Sequence, residues 1–325
     1  MTEGKKYLYG PVPSRRLGLS LGVDIVPFKV CTLDCVYCQL GRTIEKTIER
    51  RDYGSIEPIL AELRETVAEG LEADFITIAG SGEPTLNLRL GELIDGIKGI
   101  TNIATAILTN GTLLYRKDVR AECAKADVVL PSLDAGDEQT FRRINRPHGD
   151  ISIENVISGL CAFRDEFVGQ IWLEVFFVEA INTDAEQIAK IEDAIKRIGP
   201  DKVQLNTAIR PTADPYIKKL NAEKLQAIAA RLGPQCEVVA DFSPDRNGTG
   251  LESKAGDTLR HHFAINHKTQ ALLSMLKRRP CSLNDICSGL GISRNEALKY
   301  ISELQHKGVI HSEKKDGRVF FKTLT

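Results

Sequence analysis

Short apolar runs alternate with amphipathic stretches of helical length along most of this chain. Candidate strands are residues 19–26, 74–79, 103–109, 128–133, 171–178 and 202–205, and helical patterns lie between them at 56–69, 88–98, 114–124, 153–167 and 185–198. Alternation at this spacing predicts βαβ units and a parallel sheet. Six such units make a full or partial barrel or an open sheet, and the pattern alone does not choose. Residues 241–256 are rich in turn formers and break the rhythm, which predicts a linker. Beyond it residues 269–277 read as one helix, and Ser282-Leu-Asn-Asp285 and Ser293-Arg-Asn-Glu296 read as capping boxes that open two more. Residues 309–312 and 318–322 flank Asp316-Gly317, a strong hairpin signal.

Composition sharpens this outline. The 325 residues are 42% hydrophobic and 27% charged, which fits a soluble globular chain of about two domains. Forty-three basic against 44 acidic side chains argue against a polybasic nucleic-acid binder as a whole. The balance is uneven, however: residues 268–325 hold 11 Lys/Arg and 5 Asp/Glu, a net of +6, leaving −7 for the rest. Three helices followed by a hairpin resemble a winged helix-turn-helix. The expected organisation is therefore a barrel over residues 1–240, a linker over 241–266 and a winged helix-turn-helix over 267–325. The longest apolar run, 171–178, contains Glu174 and falls well short of the roughly 18 residues of a membrane span. No apolar stretch precedes Arg15-Arg16, so no signal peptide is expected, and the expected location is cytoplasmic, away from membranes.

The cysteines carry the strongest chemical signal. Cys31-Thr-Leu-Asp-Cys35-Val-Tyr-Cys38 follows the first candidate strand, while Cys123, Cys161, Cys236, Cys281 and Cys287 are scattered and read as small buried residues. Thiolates are soft ligands for zinc or iron–sulfur clusters. Structural zinc wants four closed ligands, yet the first histidine is His148 and no fourth cysteine is near. Three thiolates suit a [4Fe–4S] cluster with one iron left open; the bland alternative is three buried cysteines crowding one loop.

With Tyr37 before the last cysteine, this motif resembles that of the radical S-adenosylmethionine (SAM) superfamily. Further residues follow in the family's order. Gly80-Ser-Gly-Glu-Pro84, with Gly82 and Glu83, is similar to the segment that meets the methionine amino group. Thr109-Asn110-Gly111 matches another element, and Ser132-Leu-Asp134-Ala resembles the place that bonds the ribose. Each falls at the C-terminal end of a candidate strand, where barrel enzymes build their sites. The resemblance implies a partial (β/α)6-type barrel. It also implies a [4Fe–4S] cluster on Cys31, Cys35 and Cys38, and SAM held near Tyr37, Gly82, Glu83, Asn110, Ser132 and Asp134. The implied chemistry is anaerobic: reductive cleavage of SAM to a 5′-deoxyadenosyl radical by an oxidoreductase or transferase, fed by a one-electron reductant such as ferredoxin or flavodoxin. The runs from Gly82 to Leu86, Ser132 to Ala135 and Thr140 to Pro147 are similar to the wyosine-type tRNA-modifying branch (4-demethylwyosine synthase). The additional N-terminal cysteines of that enzyme are missing, and Glu179-Ala-Ile-Asn182 stands where its Lys-Gly pair belongs, so a relative is implied rather than the same enzyme.

Two basic features remain. Arg15-Arg16 could grip a phosphate or a carboxylate, since the guanidinium fork matches both, or could be a solvated turn. In the C-terminal unit Ala297, Leu298, Ile301 and Leu304 recur at helical spacing as core, and Arg294, Asn295 and Lys299 fall outside that set, free to meet a nucleic-acid or protein substrate. The competing functional readings are an iron–sulfur or SAM-sensing DNA-binding regulator and a peptide-modifying enzyme that holds a leader segment.

Overall fold

The structure, a computed structural model, describes residues 7–242 and 261–324, without the side chains of 261–267. Most of the expected linker at 241–266 lies outside the described residues.

The chain opens with an antiparallel hairpin, β1 (Leu8–Ser14) against β2 (Gly18–Val23). A short pair, β3 (Val30–Cys31) and β4 (Glu45–Lys46), brackets the cysteine loop. The helices and strands then alternate: α1 (Glu57–Ala68), β5 (Phe75–Ile78), α2 (Leu90–Ile100), β6 (Ala104–Leu108), α3 (Lys117–Cys123), β7 (Val128–Leu130), α4 (Glu138–Ile144), α5 (Ile153–Glu166), β8 (Gln170–Phe177), α6 (Ala185–Ile198), β9 (Lys202–Thr207), α7 (Ala222–Leu232) and β10 (Cys236–Val238). The sheet order is β1-β2-β5-β6-β7-β8-β9-β10, parallel from β2 onward. Seven parallel strands therefore stand where six were expected, and β1 and β10 do not pair with each other, so the barrel is open on one side.

Local chemistry explains these elements. In α6, Asp184 caps the first turn by accepting from the Gln187 N–H, Ile188, Ile191, Ile195 and Ile198 bury one stripe, and Gly199 ends the helix in the left-handed region. The expected strand at 128–133 stops at Leu130 because Pro131 has no N–H for the ladder. The expected helix at 114–124 begins only at Lys117, after a turn.

The C-terminal unit contains α8 (His261–Arg278), β11 (Cys281–Ser282), α9 (Leu283–Leu290), α10 (Arg294–His306), β12 (Ile310–Lys315) and β13 (Arg318–Thr323). Ser282 and Asp285 form the capping box of α9, and Ser293 caps α10. This unit spans the open side of the barrel. On the β1 side, Val12 packs against its core and Arg278 lies over the Tyr9 ring, 3.7 Å from the centroid. The Tyr9 ring in turn lies flat on Gly22, where a Cβ would sit 1.9 Å from it. On the β9 side, buried Arg210 pairs with Asp285 at 2.9 Å, Lys315 donates to the Arg210 carbonyl at 2.9 Å, and Lys219 meets Asp316 at 3.2 Å. The tip of this hairpin thus presses against the barrel.

Removing Asp285 leaves the Arg210 guanidinium buried without its carboxylate and opens the α9 capping box. Asp285→Ala is expected to destabilise the protein by about 3 kcal/mol, the cost of breaking a largely buried pair. A urea denaturation midpoint unchanged from the parent would contradict this packing.

Candidate functional site

The loop from Cys31 to Cys38 is bolted to the end of α4. The Asp34 N–H donates to the Asn145 carbonyl at 3.0 Å, and the Val36 N–H to the Ile144 carbonyl at 2.9 Å. Each thiol also meets a nitrogen donor. Asn110 Nδ2 lies 3.5 Å from Cys31 Sγ, Asn145 Nδ2 lies 3.4 Å from Cys35 Sγ, and Lys29 Nζ lies 3.1 Å from Cys38 Sγ. Such donors suit sulfur that carries negative charge, and they are the kind of contact that tunes thiolate-bound clusters. Lys29 is buried and held at φ 60°, an unusual conformation for a non-glycine residue, fixed by its N–H to the Ser81 carbonyl at 2.7 Å.

Burial pushes the Cys31 thiol up to about 12, with the Glu83 carboxylate adding to the effect. Cys35 is raised by burial and by Asp134. A metal that binds here must therefore displace protons. Among the described residues no three His, Cys, Asp or Glu side chains converge on a point for a single ion. A four-iron cluster makes no such demand, because each thiolate takes a different iron. The thiol set and its donors fit that group.

Beside the loop, Gly82 lets the chain pass flush under Val30, where a Cβ would stand 2.2 Å from the carbonyl oxygen. Glu83 is 2% exposed and ties two strand ends together. Its Oε1 accepts from the Thr85 N–H and hydroxyl and from the Thr109 hydroxyl, and its Oε2 accepts from the Asn110 N–H at 2.8 Å. Oε2 therefore keeps a free lone pair. Asn110 fixes its amide through Thr32 and Thr112.

Asp134 sits elsewhere than its sequence context implies. It is 2% exposed and already accepts from the Tyr37 hydroxyl, from Asn145 Nδ2 at 2.6 Å and from the Phe176 N–H at 2.8 Å. Burial raises its carboxyl to about 6 against the pull of these three donors. The contacts of Asp134 are with the protein's own groups. It holds Tyr37, which stacks on Phe176 with centroids 3.9 Å apart, and it holds the Asn145 that reaches Cys35.

A cavity of about 430 Å³ runs from this region through the barrel to its open side. Cys31, Tyr37, Cys38, Gly82, Glu83, Asn110 and Ser132 all line it, whereas Asp134 does not. Leu17, Leu108 and Leu130 form an apolar floor. Sequence reading missed Glu174 and Asn206, which face the cavity from β8 and β9. Arg16 Nη1 donates to Glu174 Oε2 at 2.7 Å, and Asn206 Nδ2 to Glu174 Oε1 at 2.9 Å. For Glu174 the available signal was a charge inside a mostly apolar strand; Asn206 stands among other polar residues of β9 and carried no such signal. It also missed Arg210, and Arg278 and Arg279 from the C-terminal unit, which complete the wall.

Residues 25–190 match the radical SAM superfamily. The chain belongs to that superfamily, and is thus an enzyme whose cofactors are a [4Fe–4S] cluster and SAM. Within it, the chain is 41% identical over 316 residues to the UPF0026 protein MJ1312 of Methanocaldococcus jannaschii, covering 96% of this chain and 94% of that one. It is 38% identical over 303 residues to a protein of Brachyspira hyodysenteriae named GTPase Obg, covering 93% of this chain but only 42% of that protein. A radical SAM methyltransferase from Sphaerobacter thermophilus shares the fold at a TM-score of 0.50 and 15% identity, over 69% of this chain and 67% of that one.

Proposed function

We propose that this enzyme takes a hydrogen atom from a substrate held in the barrel cavity. When bound, the cluster and SAM supply a 5′-deoxyadenosyl radical by one-electron reductive cleavage. The observation that carries this reading is the loop of Cys31, Cys35 and Cys38, each thiol facing a nitrogen donor, opening onto a cavity shared with Glu83 and Asn110. In this account Cys31, Cys35 and Cys38 hold three irons. Glu83 Oε2 offers its free lone pair to the SAM ammonium, while Gly82 allows the close approach. Ser132 and Asn110 line the path of the nucleoside. Asp134 acts through Tyr37 and Asn145 to keep the loop in place, and the apolar floor of Leu17, Leu108 and Leu130 limits water around a reactive carbon. The electron comes from a ferredoxin or flavodoxin in the cytoplasm.

The motif pattern supports a relative of the wyosine-type branch. We read the C-terminal unit as a winged helix-turn-helix whose α10 face, with Arg294, Asn295 and Lys299 exposed, meets a nucleic-acid or protein partner. Lys315 donates to the Arg210 carbonyl and is not part of that surface.

The test is chemical. Anaerobically reconstituted protein, given dithionite and SAM, is expected to release 5′-deoxyadenosine slowly without any substrate, detected by mass spectrometry. Intact SAM after prolonged incubation of iron-loaded protein would overturn the proposal.

A further inference from the structure

Five arginines share one cavity with the cysteine loop. Arg15 and Arg16 come from the turn after β1, Arg210 from the segment after β9, and Arg278 and Arg279 from the end of α8. Three of them face carboxylates: Arg16 meets Glu174 at 2.7 Å, Arg210 meets Asp285 at 2.9 Å, and Arg278 meets Asp24 at 3.7 Å. The carboxylates on the cavity wall are Glu83 and Glu174, the first engaged by threonines and the Asn110 N–H, the second by Arg16 and Asn206. Neither the Arg15 nor the Arg279 guanidinium pairs directly with a carboxylate among the described residues, although Glu174 acts on Arg15 through space and Asp285 and Cys281 act on Arg279. In addition, Arg210, only 6% exposed, and Arg278 each keep a buried Nε–H with no acceptor.

This wall is therefore short of negative charge. Burial and then the charges of Arg210, Arg279 and Arg16 pull the Arg15 guanidinium down to about 10 against the weaker opposing pull of Glu174, and Arg210 is likewise lowered by burial and by Arg279 against the pull of Asp285. Like charges in a partly desolvated cavity repel more strongly than in water, and a bound anion would relieve that repulsion. Two cations without a directly paired carboxylate and two unfilled donors match a group with two negative charges and several acceptor oxygens. A phosphate monoester has both, and a single carboxylate lacks the second charge. The guanidinium fork suits it better than a lysine ammonium would.

We propose that the substrate is a phosphate monoester whose phosphate is gripped by Arg15, Arg210 and Arg279, so that the C-terminal unit completes the substrate site of the barrel. This rests on the proposed function, in which the substrate occupies the same cavity. The unit closes the open side of the barrel and supplies one of these two cations, so recognition of the phosphate depends on both halves of the chain.

The experiment uses the full-length, iron-loaded protein and inorganic phosphate as the probe, followed by isothermal titration calorimetry under anaerobic conditions. One phosphate per chain is expected to bind, with the same affinity whether or not SAM is saturating. Arg15→Gln and Arg279→Gln should each weaken phosphate about tenfold and Arg279→Lys about threefold, since lysine keeps the charge but loses the fork. Arg142→Gln, on the exposed face of α4, serves as the control and should leave phosphate binding unaltered. Both glutamine variants remove an unpaired charge, so they should melt no lower than the parent. Phosphate affinity indifferent to Arg15 and Arg279 would overturn the proposal. So would displacement of phosphate by SAM, which would hand the arginines to the cofactor's carboxylate while leaving the radical SAM reading intact. Malonate binding more tightly than phosphate, or displacement by single-stranded RNA lacking a terminal phosphate, would also overturn it. Failure of the parent protein to form 5′-deoxyadenosine would instead count against the proposed function, whatever phosphate does.

Discussion

Cys35→Ala protein, reconstituted without oxygen, is expected to be colourless, with its iron falling from about four per chain to fewer than about one. Cys31→Ala and Cys38→Ala should do the same, and all three should lose 5′-deoxyadenosine formation to the limit of detection. The reason is the arithmetic of the loop: three thiolates serve three irons, and no other described cysteine is near enough in the chain to substitute. Cys123, fully buried at the end of α3, and Cys161 on α5 belong to other elements than the loop, and Cys123→Ala and Cys161→Ala should keep their iron. Iron determination and the visible absorbance of the cluster check this. Retention of about four irons by Cys35→Ala would remove the loop from its assigned role.

Glu83→Ala is expected to damage both stability and cofactor binding. The carboxylate satisfies four donors inside the protein, and its loss strands the Thr85 and Asn110 N–H groups and two hydroxyls where water is scarce. Unsatisfied buried groups cost about 1–3 kcal/mol each, and partial relaxation brings the expected total to about 4 kcal/mol. For a domain of this size that corresponds to a melting temperature lower by about 8–16 °C. Glu83→Gln keeps one acceptor oxygen but turns an amide toward donors, so it should fall between. Calorimetry on the iron-free protein reads the stability effect without the cofactors, and equilibrium dialysis on loaded protein reads SAM binding. A Glu83→Ala protein that melts within about 2 °C of the parent would show that these bonds contribute little.

Much of this architecture was legible because its signals are local. The apolar stripe of α6 with its Asp184 cap, the apolar run of β8 and the Asp316-Gly317 turn each declare themselves within a few residues. The cysteine spacing did the same for the loop, since three soft ligands within eight positions have few other uses. β1 was hidden by Pro11 and Pro13, which read as strand breakers but are tolerated on an edge strand whose outer side has no partner. β10 has only three residues, too few to show alternation. α7 is a different case: Asn221 caps it and Leu225, Ile228, Ala229 and Leu232 repeat at helical spacing, so its signal was present and went unread.

Most residues picked out by the sequence line one cavity, but their contacts there were not readable from it. Asp134 stands in the right segment, yet the fold turns it inward, where three donors occupy it, and Ser132 rather than Asp134 reaches the cavity. Asn145 belongs to a motif that sequence reading quoted, but its contact with Cys35 depends on α4 lying against the loop, which spans 110 positions. Arg278 and Arg279 look in sequence like ordinary basic residues at the end of a helix. Only the docking of α8 across the gap between β1 and β10 turns them into cavity walls, and that docking is set by scattered contacts such as Val12 in the C-terminal core and Arg210 with Asp285. Partnerships of this kind join residues too far apart for any periodicity to record.

The central claim is that the loop of Cys31, Cys35 and Cys38 holds a [4Fe–4S] cluster whose open iron takes SAM in the adjoining cavity. Electron paramagnetic resonance of the dithionite-reduced, anaerobically reconstituted protein, recorded with and without SAM, tests it most directly. A reduced-cluster signal that shifts when SAM is added, and that is absent from Cys35→Ala, is expected. A cluster signal indifferent to saturating SAM, or stable zinc with no iron in the reconstituted protein, would contradict it.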